Sequence, residues 1–152
     1  MSEHQATVEW ARQGEFKYET YPRQHVWRFE GGIIVPGSAA PANIPKTAPS
    51  DAGVDPEQAF VASLSSCHML WFLHLACNRK YVIDRYVDEA VGVLDKDWMS
   101  KVTLRPRVTF SGKAPSEEEH RALHHKAHEK CFIANSVKTE VVVEPSIVEK
   151  AA

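Results

Sequence analysis

The stretch from Asp55 to Arg79 constrains this chain more than any other. It is the longest apolar segment, and it opens on a helix-start signature. Asp55 suits an N-cap, Pro56 suits the first helical position, and Gln58 stands where a capping-box partner belongs. A residue that precedes proline avoids the α region, so Asp55 is a natural boundary. The apolar positions do not form a single stripe. Phe60, Leu64, Cys67 and Trp71 share one side, while Ala59, Ser63, Ser66, Leu70, Leu73 and Cys77 share another whose first half is small. A helix apolar on most sides is expected to be buried on most sides, and small residues admit a close helical neighbour. Three serines and two histidines interrupt the run, whereas a membrane span wants about 20 mostly apolar residues. The reading is a core helix.

Around it, the first third of the chain reads as strands. Val8 and Trp10 alternate with polar residues, Gly14 turns the chain, and Phe16 and Tyr18 alternate again. His25–Phe29, a turn at Glu30–Gly32, and Ile33–Val35 complete an antiparallel meander. Residues Pro36 to Val54 hold four of the nine prolines and form a loop into the helix. Beyond the helix, Ala90–Leu94 is a strand and Asp95–Trp98 a turn. Val102 to Phe110 then alternate as one half-buried strand, with Pro106 implying an edge or a bulge. Ser116 to Glu119 is a second capping box, and three acids in the first turn favour the helix dipole. That helix runs to about Lys130 with Leu123 and Ala127 inward, and Cys131 follows it. Lys138 to Ile147 is a β-branched strand. Strands, helix, strands, helix and strand make an α+β class with antiparallel sheet.

At 152 residues the chain suits one domain, 1–152, with no internal repeat. A net charge of -2 points away from a nucleic-acid surface or a disordered acidic tail. Met1 to Trp10 carry neither the basic region nor the apolar core of a signal peptide, so none is expected. Three cysteines, an odd count, argue against a secreted disulfide framework, and a cytoplasmic location is expected. One buried helix and one polar helix leave much sheet uncovered. An oligomer pooling two sheets around two central helices would cover it.

Cys67 and Cys77 lie ten residues apart on one helix, roughly 15 Å along its axis. A disulfide needs Cα atoms within about 7 Å, so only Cys131 is left as an intrachain partner for either. Mid-helix, Cys67 gains nothing from a helix N-terminus. Burial disfavours a thiolate, so a nucleophilic Cys67 requires a cation nearby; a lone cysteine in an apolar helix is ordinarily a small hydrophobe. Glu57, on the first turn, complements the helix dipole or holds an arginine over Cys67. Arg23 and Arg28 are the candidates, since arginine stays charged and can bind carboxylate and thiolate together.

Asp55–Phe60, then Ser65-Ser66-Cys67, then Cys131 followed by Asn135-Ser136 and a strand, resemble the OsmC/Ohr family over about Tyr21 to Pro145. The resemblance implies an intertwined homodimer with antiparallel sheets wrapped around central helices. It also implies reduction of organic hydroperoxides, with hydrogen peroxide as a further substrate, without cofactor or metal. By that pattern Cys67 is the peroxidatic residue and Cys131 the resolving one. Glu57 orients the arginine, here Arg23 with Arg28 as alternate, and an external, lipoyl-type dithiol restores the thiols. No nucleic acid and no membrane is expected as partner. The family often has Cys-Pro where this chain has Cys131–Phe132. Cys77 matches no motif and is assigned to packing. His68, beside Cys67, reads as a core histidine or a tuner of the thiol. Trp71 reads as core or as the wall of an apolar pocket.

Two other readings stand beside this one. His120, His124, His128 and Cys131 lie in one stripe, and histidines at this spacing can chelate zinc or copper, although exposed histidines also decorate polar helix faces. The chain can also be a family member that binds a small molecule without catalysis.

Overall fold

Asp55 caps the central helix as its sequence demands. The Asp55 carboxylate accepts from the Gln58 backbone N–H at 2.7 Å, and the Gln58 side chain returns to the Asp55 N–H at 3.4 Å. The helix, α1, spans Pro56–Asn78. The computed structural model describes residues 1–150, which fall into two compact units, Met1–Ala59 and a second from Phe60 onward.

The first unit carries the expected meander. Strands β1 (Ala6–Glu9), β2 (His25–Phe29) and β3 (Ile34–Gly37) form an antiparallel sheet in that order. Phe16 and Tyr18 are not in a strand. Gly14 takes a φ of +76, Lys17 O accepts from the N–H groups of Thr20 and Tyr21, and Phe16 instead packs on Trp10 and Tyr21. The long loop after β3 is tied down at its end, where Ser38 N–H donates to Val54 O at 3.1 Å and Val54 N–H to Pro36 O at 2.9 Å. Gly53 permits this approach, since a Cβ there would lie 2.8 Å from the Gly37 carbonyl carbon.

In the second unit, β4 (Val82–Asp88), β5 (Val91–Asp95), β6 (Trp98–Leu104), β7 (Pro106–Ser111), α2 (Glu117–Lys130), β8 (Glu140–Val143) and β9 (Ser146–Ile147) follow in order. They form two three-stranded sheets, β4-β7-β9 and β5-β6-β8. The registers show that these are two halves of one ribbon. Asp88 pairs with Pro106 and Val91 with Thr103, while Leu104 pairs with Val143 and Arg107 with Ser146. Three chain segments thus run side by side and bend together near Ala90, Arg105 and Pro145.

This corrects three expectations. Val102 to Phe110 is two strands joined at a bend, and Lys138 to Ile147 likewise. Pro106 lies on neither an edge nor a bulge; it opens the middle strand of its sheet, a first position that needs no ladder donor. The sheets are also mixed, because β6–β8 and β7–β9 are parallel. The bend is pinned by Asp88, whose carboxylate accepts from the Arg105 N–H at 2.6 Å and from the Ser65 hydroxyl of α1. The unforeseen β4 carries a bulge between Ile83 and Arg85 that breaks its alternation.

From Phe60 onward, α1 lies across the ribbon. Leu64 packs with Val102 and Leu104 on one half, while Phe72 and Ala76 pack with Val108, Phe110 and the Leu123 and Ala127 of α2 on the other. Buried positions on α1 are only Leu64, His68, Phe72 and Ala76, one stripe at i, i+4 spacing. The expected burial on most sides is therefore not reached within a single chain: Leu70 is 63 % exposed, and Cys77 is exposed rather than packed. By length and composition α1 also passes as a membrane span, although its buried stripe here rests on protein.

Phe72 is fully buried and touches both α2 and the ribbon. Phe72→Ala is predicted to cost about 3–5 kcal/mol, measured by urea denaturation against wild type at one fixed protein concentration.

Candidate functional site

Cys67 sits half-buried on α1, on the turn after Leu64. Cys131 is the C-cap residue of α2, with φ −64 and ψ 111, and is 1 % exposed. The two thiols are neighbours, near enough for Cys67 to influence the protonation of Cys131. The turn after α2 fixes the second sulfur without a proline. Asn135 N–H donates to Cys131 O at 3.0 Å, Ser136 Oγ donates to Phe132 O at 2.7 Å, and Ala134 N–H points at Cys131 Sγ at 3.4 Å. Burial pushes the Cys131 thiol up to about 11, and the neighbouring Cys67 adds to the rise against the lowering effect of the backbone N–H groups. Phe132 is 68 % exposed and meets Trp71 edge-on with ring centroids 5.4 Å apart. Trp71, one turn beyond Cys67, is partly buried and packs against the Phe72 cluster.

Arg23 and Glu57 line one cavity of about 560 Å³ in the first unit, together with Trp10, Phe16, Tyr21 and His25. They do not pair. Arg23 donates to the carbonyls of Tyr18 and Tyr21, each at 2.7 Å, and its guanidinium lies 3.6 Å from the Tyr21 ring centroid. Glu57 accepts from the Asn43 side chain at 3.2 Å, and its second oxygen is buried without a partner. No ion pair joins Arg23 to Glu57 among the described residues. Arg28 is exposed on β2, opposite Thr7 and Ile34.

The histidines of α2 are the surprise. His120 and His124 are buried, not decorating a polar face, and both turn toward α1. His68 Nε2 lies 2.9 Å from His124 Nδ1, and His124 Nε2 lies 3.1 Å from His120 Nε2. The rings thus bond to one another. Nowhere among the described residues do three His, Cys, Asp or Glu side chains gather around a point fit for a metal ion. Burial lowers the basicity of all three: His68 falls to about 4, also opposed by His128; His124 falls further, opposed by His120 and His68; His120 falls, opposed by Arg121. Two spacings foreshadow this cluster, His68 within the Leu64–Phe72–Ala76 stripe and His120, Leu123, His124, Ala127 along α2.

A long helix laid over a bent ribbon, with a thiol on it neighbouring a thiol at the end of the next helix, defines an OsmC-type protein. Residues 49–146 match the family model described as OsmC-like protein. The chain belongs to that family. It is similar to an OsmC-like protein of unknown function from Vibrio cholerae, at 47 % identity and TM-score 0.90, over 96 % of this chain and all of that one. An organic hydroperoxide resistance protein OsmC from Legionella pneumophila shares the fold at 19 % identity and TM-score 0.59, over 97 % and 98 % of the two chains. So does the organic hydroperoxide resistance protein OhrB of Bacillus subtilis, at 20 % and 0.56, over 95 % and 98 %. No curated protein matches the chain.

A raised thiol holds little thiolate at neutral pH. With limiting monobromobimane at pH 8, label is expected on exposed Cys77 first and on Cys131 last. Cys131 labelling should climb as pH approaches 11, read by peptide mass mapping.

Proposed function

We propose that the chain is a cysteine-based peroxidase that reduces organic hydroperoxides, as the names of its Legionella and Bacillus structural relatives suggest. One observation carries the reading: a reachable thiol, Cys67, has a buried second thiol, Cys131, as its neighbour. The Cys67 thiolate attacks the distal peroxide oxygen, the O–O bond breaks, and the alkoxide takes a proton to leave as alcohol. Cys67 is then a sulfenic acid. Cys131 sulfur attacks Cys67 sulfur, the hydroxyl leaves as water with the Cys131 proton, and a disulfide remains. An external dithiol, lipoyl-type by family resemblance, reduces it by exchange.

Arg23 is assigned as the cation that favours the Cys67 thiolate and polarises the peroxide, with Glu57 as its orienting carboxylate. The shared cavity and the unpartnered Glu57 oxygen support this pairing, which requires Arg23 to leave the Tyr18 and Tyr21 carbonyls. A homodimer is part of the same proposal, supported by the uncovered apolar flank of α1, and a cytoplasmic location is proposed with it from the odd cysteine count. The same aromatic-lined cavity also suits a family member that binds a small molecule without turning it over.

One equivalent of cumene hydroperoxide is expected to remove two hydrogens from the intact mass, mapped to a Cys67–Cys131 peptide pair. Cys131→Ser should stop at a sulfenic acid that dimedone traps. Cys67→Ser should drop peroxide consumption to the background rate with dihydrolipoamide as reductant. Equal consumption by wild type and Cys67→Ser would leave the binding reading in place.

A further inference from the structure

The histidine chain links the two helices that carry the cysteines, and the thiol chemistry makes no use of it. His68, His120 and His124 are each no more than 2 % exposed. His124 is sandwiched, its ring 3.9 Å from Phe72 and 5.2 Å from His68, nearly parallel to both. Phe72 and Phe110 present their faces or edges to His120. Three neutral imidazoles carry three N–H protons, enough for the two bonds of the chain with one to spare. His68 Nδ1 is left buried with no partner. A fourth proton would put a charge in this stack.

No carboxylate among the described residues is bonded to the stack to balance that charge directly. The titratable and charged groups near it are His128 and Arg121 on α2, Tyr86 on β4, and His125 and Glu144 around the cavity beside His124. The Tyr86 hydroxyl is buried and unpartnered, and burial, with Asp88 nearby, holds it well above the ordinary phenol range. No carboxylate bonds to any of the three rings among the described residues.

From this geometry we infer that His68, His124 and His120 are positioning residues: while uncharged they clamp α2 onto α1 and so hold Cys131 against Cys67, and acid releases the clamp. The inference rests on the thiol-pair reading for its purpose, but not for its test. The direction follows from linkage. These histidines have folded pKa values below their unfolded value, so the unfolded or undocked state binds more protons. Docking is then at full strength above about pH 6.5 and weakens as pH falls toward the folded values. The loss is about tenfold per pH unit for each proton taken up.

The experiment follows backbone hydrogen exchange of the full chain by mass spectrometry at pH 7.5 and 5.0, corrected for intrinsic rates. Protection of Glu117–Lys130 is expected to fall at least about tenfold more than that of Pro106–Ser111 in wild type. In the apolar variant His68→Leu/His120→Leu/His124→Phe the two segments should fall alike. The wild-type series stands without the variant: α2 protection that tracks the ribbon at both pH values overturns the clamp. Diamide-driven closure of Cys67–Cys131 is the second readout. The wild-type rate should drop about tenfold more between pH 7.5 and 5.0 than the apolar variant's, the thiolate contribution being common to both. Equal drops would assign the histidines to packing alone. If diamide closes the pair and organic hydroperoxide does not, the peroxidase reading fails while the clamp stands.

Discussion

Docking of α2 on His68, Phe72 and Ala76 of α1 is the contact on which the rest of the second unit depends. It closes the core over the ribbon, and it is the reason two cysteines 64 positions apart in sequence become neighbours. The contact is unusual in what it buries. An apolar stripe would dock α2 with less risk, since polar groups in a core cost free energy unless bonded. Imidazoles bonded in a row and stacked on Phe72 meet that condition only while they are neutral. The interface therefore combines ordinary hydrophobic packing with a polar seam that has one acceptable protonation state.

The two sulfurs divide their labour through burial. Cys67 is partly open, so an oxidant can reach it. Cys131 is enclosed and kept protonated, and a protonated thiol is a poor target for electrophiles in solution. Under the peroxidase reading this ordering is useful, because the second sulfur stays unspent until the first becomes electrophilic beside it. The Ala134 N–H that faces Cys131 Sγ and the hydrogen-bonded turn through Asn135 and Ser136 hold that sulfur in place.

Much of this was legible in the sequence where local chemistry and tertiary demand agree. Asp55 and Ser116 cap their helices through the predicted side chains, and Gly31 and Gly32 turn the meander with positive φ. The family resemblance was likewise carried by the helix start and the two cysteines, and the family match bears it out. Legibility ended where distant partners decide. β4 is obscured by its bulge and by Asp84 and Arg85, which interrupt its alternation. The bend at Arg105 leaves no mark in a pattern that continues across it. Histidines of α2 read as surface residues, because nothing local says that His68 and Phe72 will cover them. Arg23 follows Pro22 in the sequence, but its bonds to two tyrosine carbonyls could not be read from spacing.

The shared bend of the ribbon has a consequence for how such a chain can change over evolutionary time. Ala90, Arg105 and Pro145 mark one crease through three neighbouring segments, and side-chain facing alternates with every residue along each. Replacing a residue near the crease alters one contact. Inserting or deleting a single residue in any one segment would slide that segment's crease past the other two and invert its inward and outward faces beyond that point. Length, more than residue identity, is thus the inherited quantity along this fold line, and compensation would require matched insertions in all three segments at once.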